Sequence, residues 1–150
     1  MSRALKRVLF VCIGNSCRSQ MAEAFARAYG TDVMVPASAG LSPATGIAPD
    51  TMRAMAERNL YLRDHFPKSL RHLGRSQFDL VINMSGFDIP DSTGAEIRFW
   101  DVLDPVFLDY EEHCQVRDAI ERLVMTLISE LRRDRDSPQL RPFGSGRLEP

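Results

Sequence analysis

The chain has 150 residues, 44% of them hydrophobic and 26% charged, with three cysteines and a formal net charge of −1. That length suits one domain able to bury about 70% of its unfolded surface, and the near-zero charge excludes a global pull toward nucleic acid or an anionic membrane. An odd cysteine count, with an apolar run over 8–13 too short for a secretory signal or a membrane span, makes a reducing cytoplasm the expected location.

The run Arg7-Val8-Leu9-Phe10-Val11 predicts a buried strand ending on Cys12, followed by a tight loop and then a helix. In that helix Met21, Phe25, Ala28 and Tyr29 recur at helical spacing, and Gly30 follows as a C-cap. A second short strand covers 33–37 and leads into the loop Gly40-Leu41-Ser42-Pro43-Ala44-Thr45-Gly46. Pro49 stands near the start of a second helix that carries Met52, Met55 and Ala56 and extends to about Asn59. Pro67 opens a short third helix through Leu73, stopped by Gly74. Buried strands follow over 78–84 and 97–100. The last helix has the clearest pattern: Val116, Ile120, Leu123, Leu127 and Leu131 form one apolar stripe, with Glu121, Arg122 and Glu130 turned away. Cys114, at its start, reads as a structural thiol. Residues 134–150, rich in Pro, Gly and Arg, read as a loosely held tail, which leaves one domain over 1–133.

Strands alternating with helices predict an α/β fold, a doubly wound parallel sheet of four strands with helices on both faces. Reactive groups in such sheets lie beyond the carboxyl ends of the strands, near the point where the strand order reverses. Cys12 ends the first strand and Asp104 follows the fourth, so both overhang one crevice.

The loop between them carries the chemistry. Cys12-Ile13-Gly14-Asn15-Ser16-Cys17-Arg18-Ser19 joins a strand to a helix, so its backbone N–H groups and the positive end of the helix dipole can converge on an anion. Arg18 adds a planar fork for two oxygens of a phosphate or similar oxyanion. The same field favours a thiolate at Cys12, the form that attacks. A nucleophile inside an anion cradle points to displacement at phosphorus or arsenic. The plainer alternative makes Cys12 a buried strand residue, Arg18 a solvated charge, Asn15 a turn residue, Ser19 a helix N-cap and His65 a loop histidine. A zinc site from Cys12, Cys17 and either His65 or Cys114 lacks a second pair at metal-ligand spacing, so neither metal nor cofactor is expected.

The stretch Val8 to Ser19, with Met21-Ala22-Glu23-Ala24, resembles the active-site signature of the low-molecular-weight protein-tyrosine phosphatases, a fold and loop shared with the thioredoxin-coupled arsenate reductases. The resemblance continues through Ser38-Ala39-Gly40, His65, the strand ending at Met84 and Trp100 to Pro105, about the first 130 residues. It implies the strand order 2-1-3-4. It also implies a phosphate cradle from Ile13, Gly14, Asn15, Ser16, Cys17, Arg18 and Ser19, with Asp104 of the Asp-Pro pair as general acid and Asp101 as understudy. Pro105 fixes its own φ and biases Asp104 toward an extended backbone, which aims the carboxyl group. By the same resemblance Asn15 holds the loop's unusual backbone, helped by Ser38 and His65. Ser19 serves the thiolate, and Cys17 can form a protective disulfide with Cys12.

Three departures bear on substrate. Ser16 and Gln20 match the arsenate reductase form of the loop, since the phosphatases more often carry proline where Gln20 stands. The redox cysteines those reductases use after the third strand are absent from Asn83 to Ser92. Val106 and Phe107 replace the tyrosines that commonly follow the Asp-Pro pair, and the loop from Leu41 to Ile47 has no aromatic residue to stack on a phosphotyrosine ring. Leu41 and Phe107 remain as an apolar substrate wall. The expected activity is cysteine-dependent hydrolysis of phosphotyrosine-like or other aryl phosphomonoesters, the substrate being a phosphorylated protein or a small aryl phosphate. Alternatives are arsenate reduction with an external thiol or a thioredoxin-like or glutaredoxin-like reductant, and a non-catalytic oxyanion- or phosphoprotein-binding module.

Overall fold

The computed structural model describes residues 5–73, 77–89 and 94–137, and in them four strands and three helices follow one another, alternating up to β3, which β4 follows directly. They are β1 (Lys6–Cys12), α1 (Arg18–Tyr29), β2 (Met34–Gly40), α2 (Pro49–Ala56), β3 (Leu80–Asn83), β4 (Glu96–Phe99) and α3 (Tyr110–Arg135), with a 3-10 turn at Leu70–Leu73. All pairings are parallel, in the order β2-β1-β3-β4. Cys12 lies beside Gly40, and Val11 beside Asn83, so the carboxyl ends of the three inner-site strands finish at one edge. The order reverses at β1, which puts Cys12 at the switch point. Pro36 sits within β2, where an edge strand tolerates the missing N–H.

Alternation along β1 divides the core. Val8, Phe10 and Cys12 face the larger cluster with Met21, Phe25, Met34, Ile82, Ile120 and Ile128, whereas Leu9 and Val11 face a smaller one with Ala39 and Val81. The helices α1 and α3 pack together on the first face. The second is covered by the 3-10 turn and neighbouring loops through Leu70, Leu73 and Phe78. The third helix expected from Pro67 is only that turn: Ser69 is drawn into a bridge with Gly40 and the Gly40 N–H bonds to the Lys68 carbonyl at 2.8 Å, which leaves too few residues to wind. Gly74 lies outside the described residues.

Other boundaries differ for local reasons. β2 continues through the Ser38-Ala39-Gly40 segment, because each of these residues pairs with β1. α2 ends at Ala56, and Asn59 takes a left-handed φ of 60° while Leu60 N–H bonds back to the Met55 carbonyl at 3.0 Å, a Schellman-type closure. In α1 the residues from Arg18 to Ala26 are all buried, while Ala28 and Tyr29 are exposed, so the helix is wrapped nearly all round and its stripe is a poor guide. Val124 and Ile128 complete the buried face of α3, and Leu123 is only partly covered. Glu121 and Glu130 are ion-paired with Arg58 and Arg98, not simply solvated. A capping box of Asp109 and Glu112 starts α3, and the helix runs two residues past 133, with Arg132 and Arg135 bonded to Asp32. The tail from 138 onward lies outside the described residues. Among the described residues no helix is long and apolar enough to cross a membrane.

Two glycines are needed for space. A Cβ on Gly30 would meet the Ile128 side chain at 2.8 Å, where α1 closes on α3. A Cβ on Gly40 would lie 2.6 Å from the Ile13 carbonyl and 2.9 Å from the Asn15 nitrogen, both backbone atoms of the loop after β1. Gly40→Ala should therefore destabilise the protein by about 1–3 kcal/mol, the range for overpacking. It should weaken inorganic phosphate binding as well, because the atoms displaced belong to the loop. Denaturant titration and phosphate calorimetry check this, and an unchanged midpoint with unchanged affinity would refute it.

Candidate active site

β1 delivers Cys12 to the switch point with its side chain almost fully buried, and α1 begins six residues later at Arg18. No side chain caps α1 at Cys17, so its first-turn N–H groups remain for an anion. Between them the chain turns through Asn15, whose φ of 52° is a left-handed value for which asparagine is among the better non-glycine residues.

A directed series of hydrogen bonds holds that turn. Asn15 Nδ2 donates to Ser19 Oγ at 2.6 Å, which frees the Ser19 hydroxyl hydrogen for Cys12 Sγ, 2.9 Å away. Asn15 Oδ1 accepts from Gln20 Nε2 at 3.1 Å and from the Lys68 backbone N–H at 2.9 Å. Gln20 Nε2 also reaches the carbonyls of Asn15 and Phe66, and its Oε1 lies 2.9 Å from His65 Nδ1, which donates to it. Every donor in the series His65, Gln20, Asn15, Ser19 points toward the sulfur. Burial lowers the His65 pKa, with Arg27 and Lys68 acting in the same direction against Glu23 and Asp64.

Gln20 is thus the supporting residue that sequence reading noticed only as a departure. Ser38, expected beside Asn15, donates instead to Glu23 Oε1 at 2.5 Å. Its place in β2 turns it toward α1, where Glu23 also holds Arg27.

Arg18 is buried and braced by backbone. Its Nη1 donates to the carbonyls of Met84 at 2.5 Å and Val102 at 3.0 Å, beyond the ends of β3 and β4. Its Nη2 lies 3.3 Å from Asp104 Oδ2, and the Asp104 Oδ1 accepts the Val106 N–H at 3.1 Å across Pro105. With Nη1 committed to two carbonyls, the Nε–Nη2 edge is the fork left for an oxyanion, which would share Nη2 with Asp104.

A cavity of about 160 Å³ opens here, lined by Cys12, Gly14, Ser16 and Arg18 of the loop and by Ala44, Asp104 and Val106. Ile13 and Cys17 also border it. The residues expected as a wall do not: Phe107 is 95% exposed, and Leu41 packs into the smaller core cluster. Asp101 is exposed and lies off the cavity. Ala44 and Val106 carry no chemical signature by which sequence could have found them. Cys12, Cys17 and Cys114 are all free thiols, and no group of His, Cys, Asp and Glu among the described residues is arranged to hold a metal.

A buried thiol and a buried arginine bracket one strand-to-helix loop at the switch point of a 2-1-3-4 parallel sheet. The chain belongs to the low molecular weight phosphotyrosine protein phosphatase family, which it matches over residues 7–92. A glutaredoxin arsenate reductase of Synechocystis sp. is 30% identical over 131 residues, 85% of this chain and 99% of that protein. An arsenate reductase in a phosphate-binding state superposes with a TM-score of 0.76 at 28% identity, covering 85% of this chain and 99% of the other. The low molecular weight protein tyrosine phosphatase of T. tengcongensis gives 0.69 at 29% identity, covering 83% and 99%. Relatives of both chemistries therefore share this fold.

Two measurements test the site's electrostatics. Burial raises the Cys17 thiol pKa, although hydrogen bonds from Thr51 and Ser16 oppose it. Iodoacetamide at neutral pH should therefore modify Cys12 ahead of Cys17, with inorganic phosphate protecting. Tandem mass spectrometry of the shared peptide reads the order, and first labelling at Cys17 would contradict it. Burial also lowers both His65 and His113. A histidine titrating near 6.5 when unfolded then binds more protons in the unfolded chain, so stability present above about pH 6.5 is lost as pH falls toward the native values. Denaturant midpoints should decline from pH 7.5 to 5.5, and less steeply in His65→Gln. An identical slope in that variant would remove His65 from the effect.

Proposed function

We propose that the protein hydrolyses phosphomonoesters, aryl esters foremost, through a thiophosphate on Cys12. Cys12 Sγ attacks phosphorus while the phosphoryl oxygens occupy the loop's N–H groups and the Arg18 fork. As the P–O bond to the leaving group breaks, Asp104 delivers a proton to the departing oxygen. The Asp104 carboxylate then takes a proton from water, whose oxygen displaces the sulfur and releases inorganic phosphate. Ser19 donates to the sulfur as it leaves. The observation that carries this reading is the position of Asp104, held beside Arg18 at the rim of the cavity that contains Cys12. Binding alone requires neither thiol nor acid.

Arsenate reduction is the second reading, favoured by the arsenate reductase relatives and by Ser16 and Gln20 in the loop. Cys12 would form a thiol–arsenate ester with loss of water. An external thiol would then attack its sulfur, releasing arsenite and leaving a mixed disulfide that a second thiol resolves. Two thiols are oxidised to one disulfide as arsenic(V) becomes arsenic(III). The segment after β3 has no cysteine, so this reading takes its thiols from an external reductant.

One preparation separates the readings. Aryl phosphates should turn over, Cys12→Ser should abolish turnover, and Asp104→Asn should lower kcat by about 10²–10⁴ for poor leaving groups. Good leaving groups should suffer far less, since they depart unprotonated. Equal loss for both would make Asp104 structural, and arsenate reduction with glutathione and glutaredoxin without phosphate turnover would establish the second reading instead.

A further inference from the structure

Among the described residues one histidine is buried, outside the residues that line the cavity. His113 sits in the first turn of α3, only 2% exposed, with its ring Nε2 2.8 Å from the Thr51 hydroxyl in the first turn of α2. Thr51 is itself fully buried and hydrogen-bonds the Cys17 thiol, next to Arg18. The other hydrogen-bond partner of His113 is the Pro105 carbonyl, which also accepts the Leu108 N–H at 2.9 Å. One ring thus spans from the end of the phosphate loop to the peptide that follows Asp104.

We propose that neutral His113 is a positioning residue for the acid loop, clamped by Thr51 and fixing the Pro105 carbonyl so that Asp104 faces the cavity. This rests on the assignment of Asp104 as the proton donor. The two partners define the tautomer: Nδ1–H donates to the carbonyl and Nε2 accepts from the Thr51 hydroxyl. A protonated ring would lose the acceptor that Thr51 requires. Three features keep it neutral: burial, the positive end of the α3 dipole, and the neighbouring buried thiol in neutral form. The charges that face it from α2 and the acid loop, Asp50 and Asp104, pull the other way, and on its own helix lie Glu112 and Arg117. The loop's other ties are Arg18, which bonds the Val102 carbonyl and pairs with Asp104, and the Val106 N–H to Asp104, while Leu103, Val106 and Phe107 are exposed.

Two variants divide the ring's contacts. In His113→Gln the side-chain amide reaches the Nε2 position and keeps Thr51 but loses the donor to Pro105. In His113→Asn the amide nitrogen replaces Nδ1 and keeps that donor. His113→Gln should lower kcat about tenfold for poor-leaving-group aryl phosphates, the loss of one positioning hydrogen bond, with little change for good leaving groups or for inhibition by inorganic phosphate. His113→Asn should retain most of the parent's rate. Independently of turnover, the Val106 amide resonance reports the contact to Asp104 Oδ1. It should move in His113→Gln toward its place in Asp104→Asn and stay near the parent's in His113→Asn. Equal losses for good and poor leaving groups, or an unmoved Val106 resonance in His113→Gln, would overturn the proposal. If Asp104→Asn itself shows no leaving-group effect, the assignment of Asp104 as the proton donor fails, while the Val106 resonance still decides whether His113 holds the loop. Should His113→Gln not fold, the ring nitrogen shifts of the parent decide: a protonated Nδ1 with an acceptor Nε2 is expected, and the opposite tautomer refutes it.

Discussion

The left-handed backbone at Asn15 is the constraint on which the site depends. A non-glycine residue holds such a conformation at a cost of about 1–3 kcal/mol unless the surroundings over-determine it. Here they do, because the buried carboxamide is bonded on both sides, to Ser19 through its nitrogen and to Gln20 and Lys68 through its oxygen. Turning the chain at that residue lets Cys12 and Arg18 face one volume. The glycine beneath it, Gly40, allows the neighbouring strand to run directly under the loop. Strand, turn and helix therefore form one rigid unit.

Around that unit the protein buries polar groups that would be destabilising alone. Arg18, Gln20, Glu23 and Ser38 are all withdrawn from water, and each is bonded within the fold. Breaking one partner of such a network strands the other, which is why these residues act as a set. The carbonyls of Met84 and Val102 already dictate the position of Arg18, so in the proposed reaction it would meet an anion without reorganising.

The acid loop contrasts with this rigidity. It carries Asp104 at the cavity edge between exposed apolar residues, tied down by Arg18, by the turn through Val106 and by the ring of His113. In the proposed hydrolysis, a rigid loop beside a carboxylate with fewer ties would let that carboxylate serve two successive steps with different partners, a leaving oxygen and then a water. The small walls from Ala44 and Val106 enclose little more than the oxyanion, so selectivity for the rest of a substrate falls to surfaces outside the cavity.

What the sequence alone determined was local and periodic. The apolar run before Cys12, the loop with Asn15 and Arg18 and the alternation of strand and helix all follow from neighbours in the chain, and they were sufficient for a parallel sheet and the centre of the cavity, whereas the strand order and the part of the Asp-Pro pair were implied by the family resemblance. Gln20, Gly40, Thr51 and His113 were decided only by tertiary structure. Each meets its partner across a gap in sequence: Gln20 with Phe66, Gly40 under Ile13, Thr51 with His113. Phe107 shows the converse, an apolar residue beside the acid that the folded chain leaves in solvent. A hydrogen bond or a close backbone approach leaves no periodic trace in either partner, so such contacts become visible only once packing has brought the segments together.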